Sequence, residues 1–266
     1  MKAFSKQGAN RWALALPMIR REVIGRYRGS LLGILWSLLT PLLMLAVYTF
    51  VFGTIFKARW AGASEDASVA EFAVILFSGL ISFQLFAEVI GRAPGLILSN
   101  QNYVKKVVFP LEVLIPVALG SALFHAAVSY AILLVFIQKI HGIPWTALLL
   151  PLVIAPFCLL ILGLSWFLAS IGTFVRDIGQ FVGTVVTALL FLSPVFYPIS
   201  ALPAWLQPWL MMNPAALPVT LSREVLIFGK PPDFSALGLY TLIAAAIAGL
   251  GYLWFQKTRK GFADVL

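Results

Sequence analysis

Long apolar runs separated by short polar segments follow one another along the whole chain. A helix needs roughly 20 mostly apolar residues, at about 1.5 Å each, to cross the ~30 Å hydrocarbon core of a membrane. The apolar runs therefore predict six transmembrane helices. We place them at about 31–56, 71–90, 110–137, 144–172, 178–197 and 235–256.

The segment before the first apolar run predicts an amphipathic helix within residues 10–28. Its apolar positions recur at helical spacing and form one stripe, with Arg21 and Arg28 opposite. The stripe consists of Trp12, Leu16, Ile19, Val23 and Tyr27. We expect this helix to lie along the membrane surface, with the stripe in the acyl boundary and its arginines among anionic headgroups or against a partner protein. The alternative is a topology determinant with lipid contacts only.

Three further segments carry local signals. Gly25, Gly29 and Gly33 recur every four residues and favour either a close helix contact or a flexible corner.

A short cytoplasmic helix is predicted at about 94–106, where an ordinary basic loop is the alternative. Prolines divide the stretch between the last two runs into apolar pieces too short to span, which predicts re-entrant or interfacial helices at about 200–228.

Composition and charge agree with a membrane protein. Hydrophobic residues make up 61% of the chain and charged residues 11%, and the mean hydropathy is +0.96, whereas soluble domains have about 25% charged residues. We therefore expect a cytoplasmic N-terminus over 1–30, a single membrane domain over 31–256 and a tail over 257–266. Because the basic residues lie between apolar runs and not on a folded polar face, nucleic-acid binding is not expected.

The distribution of the 19 lysines and arginines predicts the orientation. With six spans, 14 of them fall on the side of the termini and 5 on the other side. By the positive-inside rule, both termini are predicted to be cytoplasmic.

Several kinds of chemistry have no signal in the sequence. None of the predicted spans has a charged residue near its middle, since Glu88 is close to the cytoplasmic end of its span. His125 lies inside a span, but a hydrogen bond to a neighbouring helix explains it more simply than a role as a proton relay. The single Cys158 excludes a disulfide within the chain. The sequence indicates no catalytic residue and no metal site, and a GxxxxGK[ST] loop is missing, so energy for active transport must come from another subunit.

Five stretches, in this order along the chain, resemble the membrane subunit of type-2 ABC exporters for polysaccharides. The similarity is strongest to exporters of O-antigen and related lipopolysaccharides, and permeases for capsule and teichoic acid are relatives of that group. The stretches are REVIGRYRGSLLGILWSLLTPLLMLAVYTFVFGTIF at 22–56, FPLEVL at 109–114, FVRDIG at 174–179, SPVFYP at 193–198 and NPAALPV at 213–219.

The resemblance implies a fold and a function. The fold is all-α, with six transmembrane helices, an N-terminal interface helix, a cytoplasmic coupling helix and re-entrant helices before the last span. The implied protein is a homodimeric permease of the bacterial inner membrane, bound to two copies of a cytoplasmic P-loop ATPase that holds ATP and magnesium. It would export a polysaccharide linked to undecaprenyl pyrophosphate through a channel between the two permeases, with no cofactor of its own.

Site residues follow from this resemblance and from the chemistry of a sugar channel. Aromatic rings suit a wall along which sugars slide, although core or interfacial packing is the alternative for them. Arg176 and Asp177 are either gate or lipid-phosphate residues or a local ion pair, and Arg26 is a second candidate for the pyrophosphate. The candidates for the channel wall are Tyr48, Phe52, Phe191, Phe196 and Tyr197. The candidates for the ATPase interface and coupling are Arg20, Arg21, Arg28, Leu96, Asn100, Tyr103 and Lys105.

Other functions remain open at this stage. A permease for capsular polysaccharide or teichoic acid would have the same plan. An exporter of a small lipid or drug would differ by a narrower pathway. A membrane enzyme of lipid-linked sugar assembly would need clustered carboxylates, which the sequence does not offer.

Overall fold

The computed structural model of the protein describes residues 2–55, 69–105 and 109–266, of which residues 2–13 and 105 are described by their backbone only. All regular elements in these parts are helices. The α-helices are α1 (Lys2–Arg26), α2 (Trp36–Tyr48), α3 (Val69–Arg92), α4 (Gln101–Lys105), α5 (Leu114–Ile140), α6 (Leu150–Phe174), α7 (Ile178–Phe191), α8 (Gln207–Met211), α9 (Ala216–Leu226), α10 (Phe234–Thr258) and α11 (Phe262–Val265).

Short 3₁₀ segments and one π-helix extend several of these elements. The π-helix, Thr49–Ile55, continues α2 without a break. The 3₁₀ segments are Gly33–Leu35, Ala93–Gly95, Leu98–Asn100, Leu111–Val113, Trp145–Leu149, Ile199–Ala201 and Arg259–Gly261.

Within the described residues, five helical stretches are long and apolar enough to cross a membrane. They are Gly33–Ile55, Val69–Gly95, Leu111–Ile140, Trp145–Phe174 and Phe234–Val265. Each overlaps a predicted span, which confirms those five predictions as apolar helices. The last one continues past the predicted end at residue 256, because the polar tail stays helical.

The predicted span at 178–197 has a shorter helix than expected. Helix α7 contains 14 residues and is therefore about 21 Å long. It ends at Phe191, and Pro194 follows in the next turn, where a proline disfavours a continuing helix. The predicted helices at 200–228 exist as α8, α9 and the 3₁₀ turn before them.

Helix α3 lies at the centre of the bundle. It is buried along most of its length and contacts α2, α5, α6, α7 and α9. Its polar residue Ser82 is fully buried, and its Oγ lies 2.7 Å from the Tyr130 hydroxyl and donates to Ser222 Oγ at 3.1 Å. Because buried polar groups need partners, these bonds fix the register of α3 against α5 and α9.

The N-terminal helix and the segment after α10 meet at one end of this bundle. Ala15 of α1 is buried against Val113 and Val117 at the start of α5. Beside them, Arg259 after α10 pairs with the buried Glu112 at 3.0 Å. The N-terminal helix and the C-terminal helices therefore contact the same short stretch of chain.

The buried face of α1 differs from the predicted apolar stripe. Leu16 is 74% exposed, whereas Ala15 and Val23 are buried and Ile19 packs against Gly120 of α5. Leu16 therefore does not share the buried face of Ile19 and Val23, because the side of α1 in contact with α5 is one residue away, where the small Ala15 allows close packing. Ile19 faces this chain and not the acyl boundary that we predicted for it. The side chain of Trp12 lies outside the described residues.

The chain turns between α1 and α2 at two glycines. Gly29 has a φ of +86° and Gly33 a φ of +51°, a region that favours glycine. Apart from their neighbours in the same helix or turn, no atom of the described chain lies within 4 Å of the place where a Cβ would stand at Gly25, Gly29 or Gly33. Of the two predicted roles, the structure shows the corner, and these glycines make no close contact with another described helix.

Candidate functional site

Three of the predicted interface arginines share one exposed groove along α1. Arg20, Arg21 and Arg28 line it together with the apolar side chains of Leu16 and Ile24. The groove lies on the side of α1 that does not pack against α5, which explains why Leu16 and Ile24 are exposed. An open apolar strip flanked by three positive charges is suited to a partner surface that carries carboxylates.

Arg21 also joins α1 to the predicted coupling segment. Its Nη2 donates a hydrogen bond of 2.9 Å to the Tyr103 hydroxyl of α4. The Tyr103 ring is stacked on Phe109, with 4.5 Å between the ring centroids. Two residues that the sequence analysis assigned to the same interface are therefore in direct contact.

The predicted coupling helix is a broken helix. Two 3₁₀ turns, Ala93–Gly95 and Leu98–Asn100, precede the five-residue α4. Asn100 Nδ2 donates to the Leu96 carbonyl at 2.9 Å and so stabilises the second turn. The segment packs closely against the end of α6. The approach is so close that a Cβ added at Gly172 would collide with the backbone of Pro94.

One predicted coupling residue, Leu96, has little exposed surface. Leu96 is 7% exposed and packs in an apolar cluster with Phe255 and Phe262. It therefore supports the segment from inside. The side chain of Lys105 lies outside the described residues.

Four charged side chains connect α1 to the end of α3. Arg26 Nη2 lies 2.5 Å from Glu88 Oε1, and Arg92 pairs with Glu22 at 2.5 Å and with Glu88 at 3.7 Å. Two carboxylates and two guanidiniums balance each other in this cluster. The guanidinium of Arg26, which we predicted as a pyrophosphate ligand, is thus bound to a carboxylate of its own chain.

A second link joins the turn after α1 to α5. The Tyr27 hydroxyl and His125 Nδ1 share a hydrogen bond of 3.2 Å, and the two rings meet edge to face. Burial raises the pKa of the Tyr27 phenol above its ordinary value. We expected a hydrogen bond from His125 to a neighbouring helix; its partner Tyr27 lies in the turn directly after α1.

The five predicted channel residues lie together at the junction of α2 and α7. Phe52 stacks on Phe196 with 5.6 Å between centroids, Phe196 stacks on Phe191 at 5.8 Å, and Tyr48 lies 6.4 Å from Phe52. Tyr197 donates to the Phe191 carbonyl at 2.8 Å. Phe191 is 63% exposed, whereas the other four are partly buried. We call these five residues the aromatic ladder.

Two polar residues that were not predicted from the sequence hold the base of this ladder. Arg223 of α9 is 3% exposed and donates to the carbonyls of Ile75, Pro194 and Val195, the first at 3.0 Å through Nε. Arg223 is one of the five basic residues that the charge count places on the side away from the termini. Its position inside the apolar stretch 214–228 was the signal, because a charged residue there needs buried partners.

Asn213 is the second residue that sequence analysis missed. Its Nδ2 donates to Ser193 Oγ at 2.8 Å and to the Leu192 carbonyl at 3.2 Å, and its Oδ1 accepts from the backbone of Ala215 at 3.0 Å. Asn213 thereby satisfies carbonyls that the end of α7 leaves open. Together with Arg223 it ties the last turn of α7 to the α8–α9 hairpin.

Arg176 and Asp177 lie in the turn between α6 and α7, and both are exposed. No ion pair joins them to each other or to another charged residue that the structure describes. The alternative of a local ion pair therefore has no support in this arrangement. Asp177 precedes α7, and its backbone carbonyl accepts from Phe181 at 3.2 Å.

Comparisons with known proteins agree with this architecture. Residues 15–227 match the family described as ABC-2 type transporter. The chain is 26% identical over 94% of both chains to a protein of Myxococcus xanthus named O-antigen export system permease protein RfbA. It is 23% identical over 95% of both chains to the Klebsiella pneumoniae protein of the same name. It is also 28% identical to the polysialic acid transport protein KpsM of Escherichia coli, over 90% of this chain and 91% of that one. The chain therefore belongs to the ABC-2 type transporter family.

Proposed function

We propose that this protein is the permease subunit of an ATP-driven exporter that moves a lipid-linked polysaccharide of the O-antigen type out of the cytoplasm. The names of the relatives supply the cargo class. The hydrolysis of ATP with magnesium belongs to a separate ATPase subunit, two copies of which bind a homodimer of this chain.

The observation that carries the proposal is the contact between Arg21 and Tyr103. It joins α1 and the coupling segment into one surface at the end of the bundle where α1 and the segment after α10 meet. A nucleotide-driven movement of an ATPase that docks in the groove would reach α3 through Arg26 and Glu88, and α5 through Tyr27 and His125. Because these links are short and directional, α1 and the inner ends of the spans would move together.

Six crossings of the membrane are part of the proposal. The start of α7 lies next to Pro94, which follows α3. The turn after α7 is joined through Arg223 to Ile75, near the start of α3. Helix α7 and the turn after it therefore contact both ends of α3. These contacts support a full crossing of the membrane by α7 and that turn, with α8 and α9 re-entering from the outer side. With six crossings and the charge bias of the sequence, both termini are cytoplasmic and the membrane is the bacterial inner membrane.

The export channel, in this account, forms between two copies of the chain. The surface of α2 favours this, since only 6% of the most apolar stretch of that span is buried within the chain. The exposed ring of Phe191 belongs to the aromatic ladder that ends on α2 and α7. Rings that are held by stacking offer flat apolar faces to successive sugars without strong charges that would retain them.

The lipid pyrophosphate is assigned to the inner end of the pathway. Arg176 is exposed there and has no carboxylate partner among the described residues. A phosphate at Arg26 would have to displace Glu88, so we propose Arg176 as the first contact and Arg26 as a later one. Arginine suits both because its planar fork binds phosphate oxygens in pairs.

A transport assay tests the proposal. The permease is reconstituted in vesicles with the ATPase from its own source and with polyprenyl-linked polysaccharide labelled in the sugar. With ATP and magnesium, a glycosidase on the side away from the ATPase should gain access to the label, whereas without nucleotide it should not. Transport of a small lipid in place of the polysaccharide would reassign the cargo. Sugar turnover without any ATPase would contradict the proposal.

A capsular polysaccharide is the second candidate cargo. The observation that favours it is the similarity to KpsM over 90% of this chain. The same vesicles decide between the two when O-antigen-type and capsule-type lipid-linked glycans are supplied separately.

A further inference from the structure

The helical stretch that contains α10 is longer than a membrane crossing requires. Phe234–Val265 contains 32 residues and is therefore about 48 Å long, whereas the hydrocarbon core is only ~30 Å thick. The 3₁₀ turn Arg259–Gly261 and helix α11 extend beyond the crossing, where side chains can stay in water. Phe262 of α11 is nevertheless fully buried.

Phe262 belongs to an apolar cluster beneath the coupling segment, residues 93–105. Its ring meets Phe255 edge to face, with 5.4 Å between the centroids, and lies 5.7 Å from the ring of Phe174 at the end of α6. Leu96 and Ile97 of the coupling segment belong to the same cluster, and α11 also contacts α4. Phe262 therefore joins the segment after α10 to the buried side of the coupling segment.

Arg259 fixes the same segment to the start of α5. Its guanidinium pairs with the carboxylate of the buried Glu112 at 3.0 Å, and the Glu112 carbonyl accepts from Trp166 Nε1 of α6 at 3.1 Å. Arg259 and Phe262 are three positions apart in a helical stretch, so their side chains lie on one side of it. This side holds both the coupling segment and the first turn of α5.

The coupling segment depends on such packing for its shape. It consists of two 3₁₀ turns and the five-residue α4, and helices this short are not stable on their own. Leu96 and Ile97 are buried, whereas Ser99 and Gln101 are exposed. A partner that pushes on the exposed side can move the spans only if the buried side does not yield. The surfaces behind it are the end of α6, at Gly172, and the cluster of Phe262.

We propose that Phe262 and Arg259 are positioning residues for energy coupling. They hold the coupling segment against the inner ends of α6 and α10, so that a movement of the docked ATPase reaches these two spans as well as α3 and α5. This inference rests on the proposed function, because it assigns to the segment after α10 a part in the use of ATP. The two residues act through Leu96 and Glu112 and contact neither nucleotide nor cargo.

The first measurement is hydrogen exchange of the permease alone, in lipid nanodiscs. Phe262→Ala leaves a cavity beneath Leu96 and should make exchange at residues 93–104 about tenfold faster or more, with residues 126–140 of α5 unchanged. Phe262→Leu keeps an apolar side chain there and should exchange within about threefold of the wild type. Val265→Ala is the matched control, since it shortens an exposed side chain of the same helix and should exchange like the wild type.

The second measurement is the amount of sugar transported per ATP hydrolysed, in vesicles that contain the ATPase and the lipid-linked polysaccharide. Phe262→Ala and Arg259→Met should each lower this ratio about threefold or more, because movement of the coupling segment is no longer passed on fully. Association with the ATPase should stay within about twofold, since the exposed side of the segment is unchanged. Phe262→Leu and Arg259→Lys should restore most of the ratio. A purely structural role would reduce the amount of folded protein and leave the ratio as it is.

Three results would overturn the inference: unchanged exchange at residues 93–104 in Phe262→Ala, faster exchange along all of α5, or an unchanged ratio of transport to hydrolysis. A wild type that binds no ATPase would contradict the proposed function instead. The exchange measurement needs no ATPase, so it still decides whether Phe262 holds the coupling segment in place.

Discussion

The guanidinium of Arg21 and the hydroxyl of Tyr103 lie 2.9 Å apart, although 82 positions of sequence separate the two residues. This hydrogen bond joins α1 and α4 into one surface. Without it, the two helices would contact a partner independently. The bond is exposed, so its strength depends on neighbouring contacts such as the stacking of Tyr103 on Phe109. The bond can be removed without disturbing that stacking.

A double-mutant cycle on this bond is the first prediction. Arg21→Ala and Tyr103→Phe should each weaken ATPase association about two- to tenfold, the range expected for one exposed hydrogen bond. The double variant should lose no more than the stronger single variant, because both remove the same interaction. Arg20→Ala provides the comparison, since its effect should add to that of Tyr103→Phe. Additive losses for Arg21→Ala and Tyr103→Phe would show that the bond does not matter for docking.

Charge in the groove is the subject of the second prediction. Arg21→Glu with Arg28→Glu should reduce association with the ATPase by more than tenfold at low salt, because two attractive charges become repulsive. Membrane insertion should change little. Lys257→Glu is the matched control, since it reverses an exposed charge at the same end of the bundle but outside the groove. Association that is unchanged in the groove variant would exclude the groove as the docking surface.

The third prediction concerns the link between α1 and α3. Glu88→Gln removes the carboxylate that Arg26 and Arg92 share, and leaves two guanidiniums facing each other. We expect hydrogen exchange of α1 between residues 14 and 26 to become about tenfold faster, since the loss of a charge-assisted pair weakens a contact by roughly 1–3 kcal/mol. Asp264→Asn, at an exposed acidic residue of α11, should leave that exchange unchanged. Equal exchange in wild type and Glu88→Gln would show that other contacts hold α1.

The fourth prediction concerns the buried Arg223. Arg223→Met leaves three carbonyls without their donor and should lower the free energy of unfolding by roughly 3–5 kcal/mol. Arg223→Lys should recover only part of this, because an ammonium cannot bond the carbonyls of Ile75, Pro194 and Val195 in one plane. Thermal unfolding in detergent measures both. Lys230→Met, at an exposed cation of the same outer region, is the control and should unfold like the wild type. A small effect of Arg223→Met would mean that water can replace the guanidinium.

The sequence predicted the five longest apolar helices well, because hydropathy and length decide them. The buried face of a helix and the partners of a buried charge could not be predicted from the sequence, because contacts between distant residues determine them. Leu16 and Ala15 are both compatible with an apolar stripe, and only the packing of α1 on α5 selects Ala15. Arg223 resembled an ordinary loop cation, since its partner carbonyl at Ile75 is 148 positions away. The five residues of the aromatic ladder can be grouped from the sequence because they lie in two short stretches, whereas Asn213 and Arg223, which support them, belong to a third.

The central claim is that this chain works as the membrane subunit of an ATP-driven polysaccharide exporter. Its most direct test is purification of the tagged chain from its native membrane, with identification of the proteins and lipid-linked glycans that accompany it. The account predicts a stoichiometric P-loop ATPase together with a polyprenyl-linked polysaccharide. A chain that purifies without an ATPase would contradict the account, and an ATPase without glycan would move the cargo to a small lipid or drug.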